Sequence, residues 1–479
     1  MLDFSRLEQY RENNRIEAKK ALGGLPKSIW ETYSAFANTL GGIILLGVVE
    51  ETDKSLRPIS LPDPGRLIEE FLELLNRPEK ASVNILSDQD ISVETVEDCQ
   101  IIAITVPRAE RRDRPVYIDG NPFTGTYQRN GEGDYRCSKE EVEAMFRDAS
   151  RKSPDMRPLC QLGLHVLDPD AIRRYRSRMI LRHPEHIWQE LDTPEFLYKL
   201  GAAAKAPDGS LCPTAAGLLM FGYEYEIIRE FSGYFLDYQD LTVSEQDARK
   251  FNQARRIVSS TGDWSGSLYD FYFRVSRALA SSAEPAPVQD ALREALTNCL
   301  INADYSSSIG VSIRKTREEI RFSNPGSFRI AIENASGGGI SDPRNAALCR
   351  MFNLIDVGER TGSGLPNIFR VWKEQGLPIP SITQEFSPER TILALTLQPA
   401  GQTKKTSSGT AKASKAAPAI RKALIIDYLT EHASAGAREL SSLTGASVPQ
   451  IQRLLSRLVQ EGIVVREGGT RNRTFRLKS

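Results

Sequence analysis

Histidine is scarce and cysteine is scattered in this chain of 479 residues, which holds four of the first and six of the second. Cys99, Cys137, Cys160, Cys212, Cys299 and Cys349 are never closer than 23 positions apart, so neither a CxxC zinc site nor the disulfide framework of a small secreted domain is encoded. His183 and His186 stand alone in Arg-His-Pro-Glu-His, which argues against a metal centre there. Long apolar runs are also missing. The stretch from Ile43 to Val49, with a glycine inside, falls far short of the ~20 residues a membrane span needs. The opening Met1-Leu-Asp-Phe-Ser-Arg lacks the basic-then-apolar order of a signal peptide, so the expected location is the cytoplasm, away from any membrane. With 40% hydrophobic and 26% charged residues, global disorder is excluded and the length predicts about three domains.

Net charge is absent as well, since 62 Lys/Arg balance 62 Asp/Glu. The balance hides an asymmetry. From Gln398 onward there are fourteen Lys/Arg against five Asp/Glu, a net of +9, so residues 1–397 carry −9 (48 against 57). A basic tail on an acidic body predicts that the tail meets polyanions. Gly, Ser, Thr and Lys dominate 398–419 without apolar periodicity, as in a solvated linker. A helical pattern capped by Ser138 gives way near 150–158 to Arg-Lys-Ser-Pro-Asp-Met-Arg-Pro, a second boundary. The expected division is 1–150, an α-rich connector at 151–222, a mixed α/β module at 223–397, the linker, and a last domain at 420–479.

In the first module, residues 28–40 have helical spacing, with Ser28 as N-cap and Glu31 completing a capping box. Asn38 and Gly41-Gly42 are expected to stop that helix, and 43–49 reads as a buried strand. Glu50, Glu51 and Asp53 follow at its exit, while Glu12 and Glu17 lie upstream beside Lys19 and Lys20. Converging carboxylates could hold a divalent ion and a lysine could meet a phosphate; a solvated acidic face has the same spacing.

Arg11-Glu-Asn-Asn-Arg-Ile-Glu-Ala-Lys and Ser34-Ala-Phe-Ala-Asn-Thr-Leu-Gly-Gly-Ile-Ile-Leu-Leu-Gly-Val-Val-Glu together resemble the AlbA_2 domain, the Schlafen-like nucleic-acid-binding module. Arg114-Pro-Val-Tyr-Ile and Thr126-Tyr-Gln-Arg-Asn-Gly are similar to its closing strands, so the likeness spans most of 8–149. The resemblance implies an α+β fold, contact with DNA or RNA through residues such as Lys19, and, as in the family's ribonucleases, a catalytic Mn2+ or Mg2+ site at Glu12, Glu17 and Glu50. The family's third acid is usually aspartate, whereas Glu50-Glu51 stands here.

In the middle module, 288–303 is expected to be helical, with Glu294, Asn298 and Asn302 as a polar stripe on one face. An ordinary solvated face would also be polar, but a carboxylate and carboxamide one turn apart can orient water and Mg2+ at a triphosphate. Strands at 311–314 and 319–324 follow, and Gly358-Glu-Arg-Thr-Gly-Ser-Gly-Leu opens a helix, where backbone N–H groups can meet phosphate. Arg293-Glu-Ala-Leu-Thr-Asn-Cys-Leu-Ile-Asn-Ala-Asp-Tyr, Phe322-Ser-Asn-Pro-Gly-Ser-Phe, Pro343-Arg-Asn and Arg360-Thr-Gly-Ser-Gly-Leu resemble the GHKL ATPase fold, in the variant that follows AlbA_2 domains in bacterial transcriptional regulators. Pro213-Thr-Ala-Ala-Gly-Leu-Leu-Met-Phe-Gly is similar to their connector, and the likeness covers about 200–397. It implies an α/β sandwich binding ATP and Mg2+: Asn298 for the metal, Glu294 to activate water, Asn302 beside them, and Gly362, Ser363 and Gly364 as the lid. Asn324-Pro-Gly326 replaces the usual adenine-reading Asp-x-Gly, and Asn302-Ala-Asp-Tyr the common His-Arg-Asp-Tyr.

The tail reads as helices at 420–431, 437–444 and 447–461, the last with Ile451, Leu454, Leu455 and Leu458 inward, then a hairpin around Gly468-Gly469. That order is a winged helix-turn-helix. Gln450, Gln452 and Arg453 are its candidate base readers, with Arg471 and Arg473 on the wing for phosphates or a minor groove. Winged helices also mediate protein contacts; the adjacent +9 favours DNA.

The sequence therefore predicts an α/β (α+β) multidomain protein: a DNA-binding transcriptional regulator biased by ATP. A metal-dependent ribonuclease targeted by the winged helix, with phage defence as its setting, and a non-catalytic scaffold are the alternatives. DNA, RNA, ATP and a second copy of the chain are the expected partners.

Overall fold

The computed structural model describes residues 3–242, 255–280, 285–329, 342–358, 364–386 and 388–398, and in the tail 425, 429, 434–436, 440, 448–460, 464–467 and 474–477. They form two compact units, 1–402 and 403–479.

The first unit opens with β1 (Ile16–Lys19), α1 (Ile29–Asn38), β2 (Gly42–Leu46), β3 (Val48–Glu50), β4 (Leu56–Pro58), α2 (Pro64–Leu75), β5 (Ile91–Val96) and β6 (Cys99–Val106). Four strands make a sheet in the order β1-β2-β6-β5, with β1 parallel to β2 and the other pairs antiparallel. Side chains alternate across it. Ile44, Leu46, Ile102 and Ile104 pack under α1 and α2, while Leu45, Ile101 and Ala103 face Leu7, Val48 and Leu56.

Two local expectations change here. The strand read at 43–49 breaks at Gly47, whose φ of +81° and closeness to Leu61 (2.8 Å from an added Cβ) leave no place for a side chain. Beyond it β3 leaves the sheet to pair with β4. Ser28 does not cap α1 through its side chain: its backbone is already helical, and its Oγ instead accepts from Lys19 Nζ at 3.1 Å.

Asn38 is the last residue of α1 and is buried. It donates to the carbonyls of Val116 (2.8 Å) and Tyr127 (3.0 Å) and accepts from Val116 N–H (2.9 Å). One side chain thereby ties the helix to the segment at Val116 and to β7 (Tyr127–Asn130), which pairs with β8 (Gly133–Arg136). After them, α3 (Lys139–Ala149) starts with the expected cap: Ser138 accepts from Glu141 N–H, and the Glu141 carboxylate answers Ser138 N–H.

Next come α4 (Pro169–Arg182), α5 (Thr193–Leu200), β9 (Ala203–Lys205), β10 (Leu211–Pro213), α6 (Ala215–Phe221) and α7 (Glu224–Glu230). The remainder of the unit is β11 (Leu236–Asp240), β12 (Arg256–Val258), α8 (Leu268–Ala280), α9 (Ala286–Asn302), β13 (Val311–Lys315), β14 (Glu319–Pro325), α10 (Ala346–Leu354), α11 (Gly364–Glu374), β15 (Ser381–Phe386) and β16 (Glu389–Thr396). Its sheet runs β12-β11-β13-β14-β16-β15, with only β11 and β13 parallel. Leu292 and Leu296 of α9 and Trp372 of α11 share a core with Ile313, Phe322 and Leu395 of the strands, giving the expected α/β sandwich. That core continues back to Leu159, so the boundary read at 222 crosses a shared interior.

In the second unit, Ile451, Leu455 and Leu458 of α12 (Val448–Gln460) are buried against Ile425, Leu429 and Leu440, with Leu454 partly buried beside them. β18 (Val464–Glu467) and β19 (Thr474–Leu477) pair antiparallel as the hairpin requires, and β17 (Ala435–Gly436) adds a third strand against β19. The Gly468-Gly469 turn lies outside the described residues.

Candidate functional site

Two clusters gather the residues singled out by sequence. In the first, Glu12 precedes β1 and its Oε1 accepts the N–H of Ala18 at 2.9 Å. Glu17, on β1, lies between Lys19 Nζ (2.9 Å) and the Arg129 guanidinium (2.8 Å). Arg129 projects from β7, is buried, stacks over Phe36 at 5.3 Å and also pairs with Asp134 at 2.9 Å. Thr32 steadies Asp134 by donating to it at 2.7 Å. Glu50 ends β3, and its Oε1 is buried with no hydrogen-bond partner among the described residues.

The electrostatics separate the three glutamates. Burial lifts the Glu12 carboxyl above its usual range; the charges of Glu17 and Glu50 add to this, against Ala18 N–H and Arg129. Burial opposes the charge on Arg129, but Asp134 and Glu17 outweigh it and raise its pKa. Surplus negative charge therefore rests on Glu12 and Glu50, whose orphan oxygen suits a divalent cation, whereas Glu17 already has two cationic partners. Among the described residues no three His, Cys, Asp or Glu side chains are disposed to hold a metal ion. Lys19, expected to meet a phosphate, is occupied by Glu17 and Ser28. His186 Nδ1 accepts from Trp188 N–H and His183 faces Asp356, so those two histidines are placed by structural contacts. Sequence reasoning missed Arg129; the only signal was an arginine inside a strand-like run.

The second cluster lies between α9 and the sheet. Glu294 is buried, and Asn298 Nδ2 donates to its Oε1 at 3.1 Å, which engages the carboxamide nitrogen and not the oxygen that Mg2+ prefers. Asn302 donates to Asn298 O at 2.9 Å, completing the stripe. Gly364, the first residue of α11, comes so close that an added Cβ would lie 2.0 Å from Glu294 Oε1. These groups and Asn324, Phe322 and Thr391 line a cavity of about 110 Å3. A cavity of roughly 150 Å3 holds benzene, so the enclosed part of this space has the scale of one aromatic ring, and the pocket is open to solvent beyond it. Asn324 is buried on β14, and Gly326, at φ +93°, admits the Arg344 guanidinium, 2.6 Å from where a Cβ would be.

Arg344 links this cavity to the first module. Its Nε donates to Asn302 O and one terminal nitrogen to Ser327 O, both at 3.0 Å, while the other pairs with Asp148 at the end of α3. Arg329, on the cavity wall, pairs with the same carboxylate at 2.9 Å. Asp342, also on that wall, pairs with Arg111. Burial would raise the Asp148 pKa, but Arg344 and Arg329 more than offset it and hold the carboxyl below the usual range. Burial lowers the Arg329 pKa and would lower that of Arg344, which Asp148 and its acidic neighbours keep raised. The boundary expected at 150 is thus crossed by a buried ionic cluster.

Of the other expected site residues, Gln452 is exposed on α12, and Gln450 and Arg453 lie on the same helix. Gly362, Ser363, Arg471 and Arg473 fall outside the described residues.

The family model "Schlafen, AlbA_2" matches residues 12–138. The chain carries a Schlafen AlbA_2 domain. Behind the AlbA_2 domain, a domain of unknown function (DUF8451) matches 143–237, "Putative ATP-dependent DNA helicase recG C-terminal" (HATPase_c_4) matches 308–393, and the IclR helix-turn-helix domain matches 419–468. The HATPase_c_4 match begins after α9, so Glu294 and Asn298 rest on geometry alone. Part of the chain is similar to the solution NMR structure of the N-terminal domain of "Putative ATP-dependent DNA Helicase RecG-related Protein" from Nitrosomonas europaea, at 30% identity over 29% of this chain and 94% of that one, with a TM-score of 0.23. The crystal structure of the DIP2311 protein from Corynebacterium diphtheriae is similar over 97% of this chain and 95% of that one, at 17% identity and a TM-score of 0.40. No curated protein matches. AlbA_2 and helix-turn-helix domains support nucleic-acid binding, and an ATPase-like module lies between them. No described helix is long and apolar enough to cross a membrane.

Proposed function

We propose that the AlbA_2 protein is a DNA-binding transcriptional regulator whose arrangement is biased by ATP in the pocket beside α9. The observation that carries this reading is the buried Asp148, held by Arg344 and by Arg329, which lines that pocket. A ligand that changes the position of either arginine acts on α3, the helix that follows the AlbA_2 match, and it shifts the arrangement only by its differential affinity for the two states. Asn298 would hold Mg2+ and Glu294 would orient water; the nucleotide supplies a transferable phosphoryl group. The helix-turn-helix unit reads DNA through α12. The test is thermal melting and DNA titration of the full chain with ATP and Mg2+. Wild type should gain stability and change its DNA affinity, and Asn298→Ala should do neither. No melting shift at millimolar ATP retires the nucleotide reading in favour of a scaffold.

A second reading, a metal-dependent ribonuclease, is favoured by the orphan oxygen of Glu50 beside the protonation-prone Glu12. Labelled RNA incubated with Mn2+, with and without EDTA, decides it: cleavage that EDTA abolishes supports the nuclease, and intact RNA rejects it.

A further inference from the structure

The six cysteines are free, and their spacing excludes a disulfide framework, yet the fold brings two of them together. Pro158 forms an antiparallel bridge with Thr214. Around it, Leu159 N–H donates to Pro213 O at 2.8 Å and Ala215 N–H to Arg157 O at 2.9 Å. In antiparallel pairing, hydrogen-bonded pairs alternate with closer pairs that exchange no backbone hydrogen bond. These two bonds flank the pair 158/214, which is of the closer kind. The bridge brings Cys160, in the turn that follows Leu159, beside Cys212 of β10. Their Sγ atoms are 2.9 Å apart. On its other side Cys212 pairs with Ala204 of β9, which fixes its strand, while Gln161 and Arg157 both donate to Glu230 and hold the segment that carries Cys160.

We infer that Cys160 and Cys212 form a reversible dithiol–disulfide site that is oxidised by low-molecular-weight disulfides. The two thiols are unlike: Cys160 is exposed and Cys212 is buried. Burial, and then the neighbouring Cys160 thiol, push Cys212 up to about 11, so the first attack falls to Cys160. The Cys160 thiolate attacks one sulfur of a disulfide RSSR; a Cys160–SR bond forms and RS− leaves. Cys212 then loses its proton and attacks Cys160 Sγ, forming the bridge and releasing the second RS−. Two electrons pass to RSSR, and the two thiol protons end on two RSH. The bridge closes a loop whose ends are 52 positions apart, spanning α4, α5 and β9, which constrains the unfolded chain.

The experiment is equilibration of the native full chain with oxidised glutathione, followed by thiol counting, tryptic mapping and thermal melting. Titratable thiols should fall from six to four, one peptide pair should join Cys160 to Cys212, and the melting midpoint should rise and return on reduction with dithiothreitol. Cys212→Ser should instead keep glutathione on Cys160, and Cys160→Ser should leave Cys212 unmodified. Wild-type protein that keeps all its thiols, holds glutathione on Cys160 without bridging, or bridges a different pair overturns the inference.

Discussion

The guanidinium of Arg344 closes on the carboxylate of Asp148, 196 positions earlier in the chain, with both side chains buried. Removing one partner of such a pair costs more than the pair contributes, because the remaining charge stays buried and uncompensated. Asp148→Asn should destabilise the 1–402 body by about 3–5 kcal/mol in urea denaturation. The pH dependence has a definite sign. A carboxyl held below its unfolded value stabilises above that value, ~4, and the contribution disappears as pH falls through the folded pKa. Wild type should lose stability in that acidic window more steeply than Asp148→Asn; equal slopes would detach Asp148 from the junction.

The acidic cluster divides Glu17 from Glu12. Three converging glutamates read from sequence imply that Glu17→Gln relieves repulsion. With Lys19 and Arg129 on its carboxylate, the structure reverses that expectation: Glu17→Gln should destabilise by about 1–3 kcal/mol, the scale of a lost charged hydrogen bond.

Glu12→Gln should act the other way and stabilise slightly at neutral pH. A carboxyl raised on folding stabilises at low pH, and that contribution is lost as pH rises through its folded value. The variant should flatten this part of the stability–pH curve and remove any stabilisation by Mn2+, as calorimetry of the full chain would read.

Gly364→Ala separates fold from chemistry. The added methyl meets the far end of the Glu294 side chain, which can swing aside, so stability should change by about 1 kcal/mol or less. The displaced carboxylate can no longer pair with Asn298, and any ATP turnover should fall by about 10²-fold or more in a phosphate-release assay. Unchanged turnover would remove Glu294 from the reaction.

Deleting 398–479 should abolish most duplex-DNA affinity and flatten its dependence on salt, since the tail holds the +9. Arg453→Ala should lose sequence discrimination by about 1–3 kcal/mol, whereas Arg471→Ala should weaken all sequences alike. Fluorescence anisotropy across a salt series checks both.

Features set by near neighbours were legible. Ser138 caps α3 with Glu141 three positions away, and the Glu294, Asn298, Asn302 stripe follows from helical period alone. Features set by distant contacts were not. Ser28 has the same capping signature, but Lys19 takes its hydroxyl. Gly47 breaks a continuous apolar run because Leu61 packs against it. Arg129 reaches Glu17 across 112 positions, and no local pattern marks it as the centre of the acidic cluster. Asn38 looked like a helix stop and is a crosslink to two later segments.

The strand order also has a consequence for synthesis. β14 lies between β13 and β16, so the sheet behind the cavity beside α9 cannot close until residue 396 has left the ribosome. Asp148 emerges 196 residues before its partner Arg344, which at about 5–20 residues per second is roughly 10–40 s of translation. During that interval the nascent chain carries, just behind the AlbA_2 domain, a carboxylate whose burial site does not yet exist. The same charge is left bare in any fragment cut at residue 150, while a cut at residue 138, where the AlbA_2 match ends, omits it.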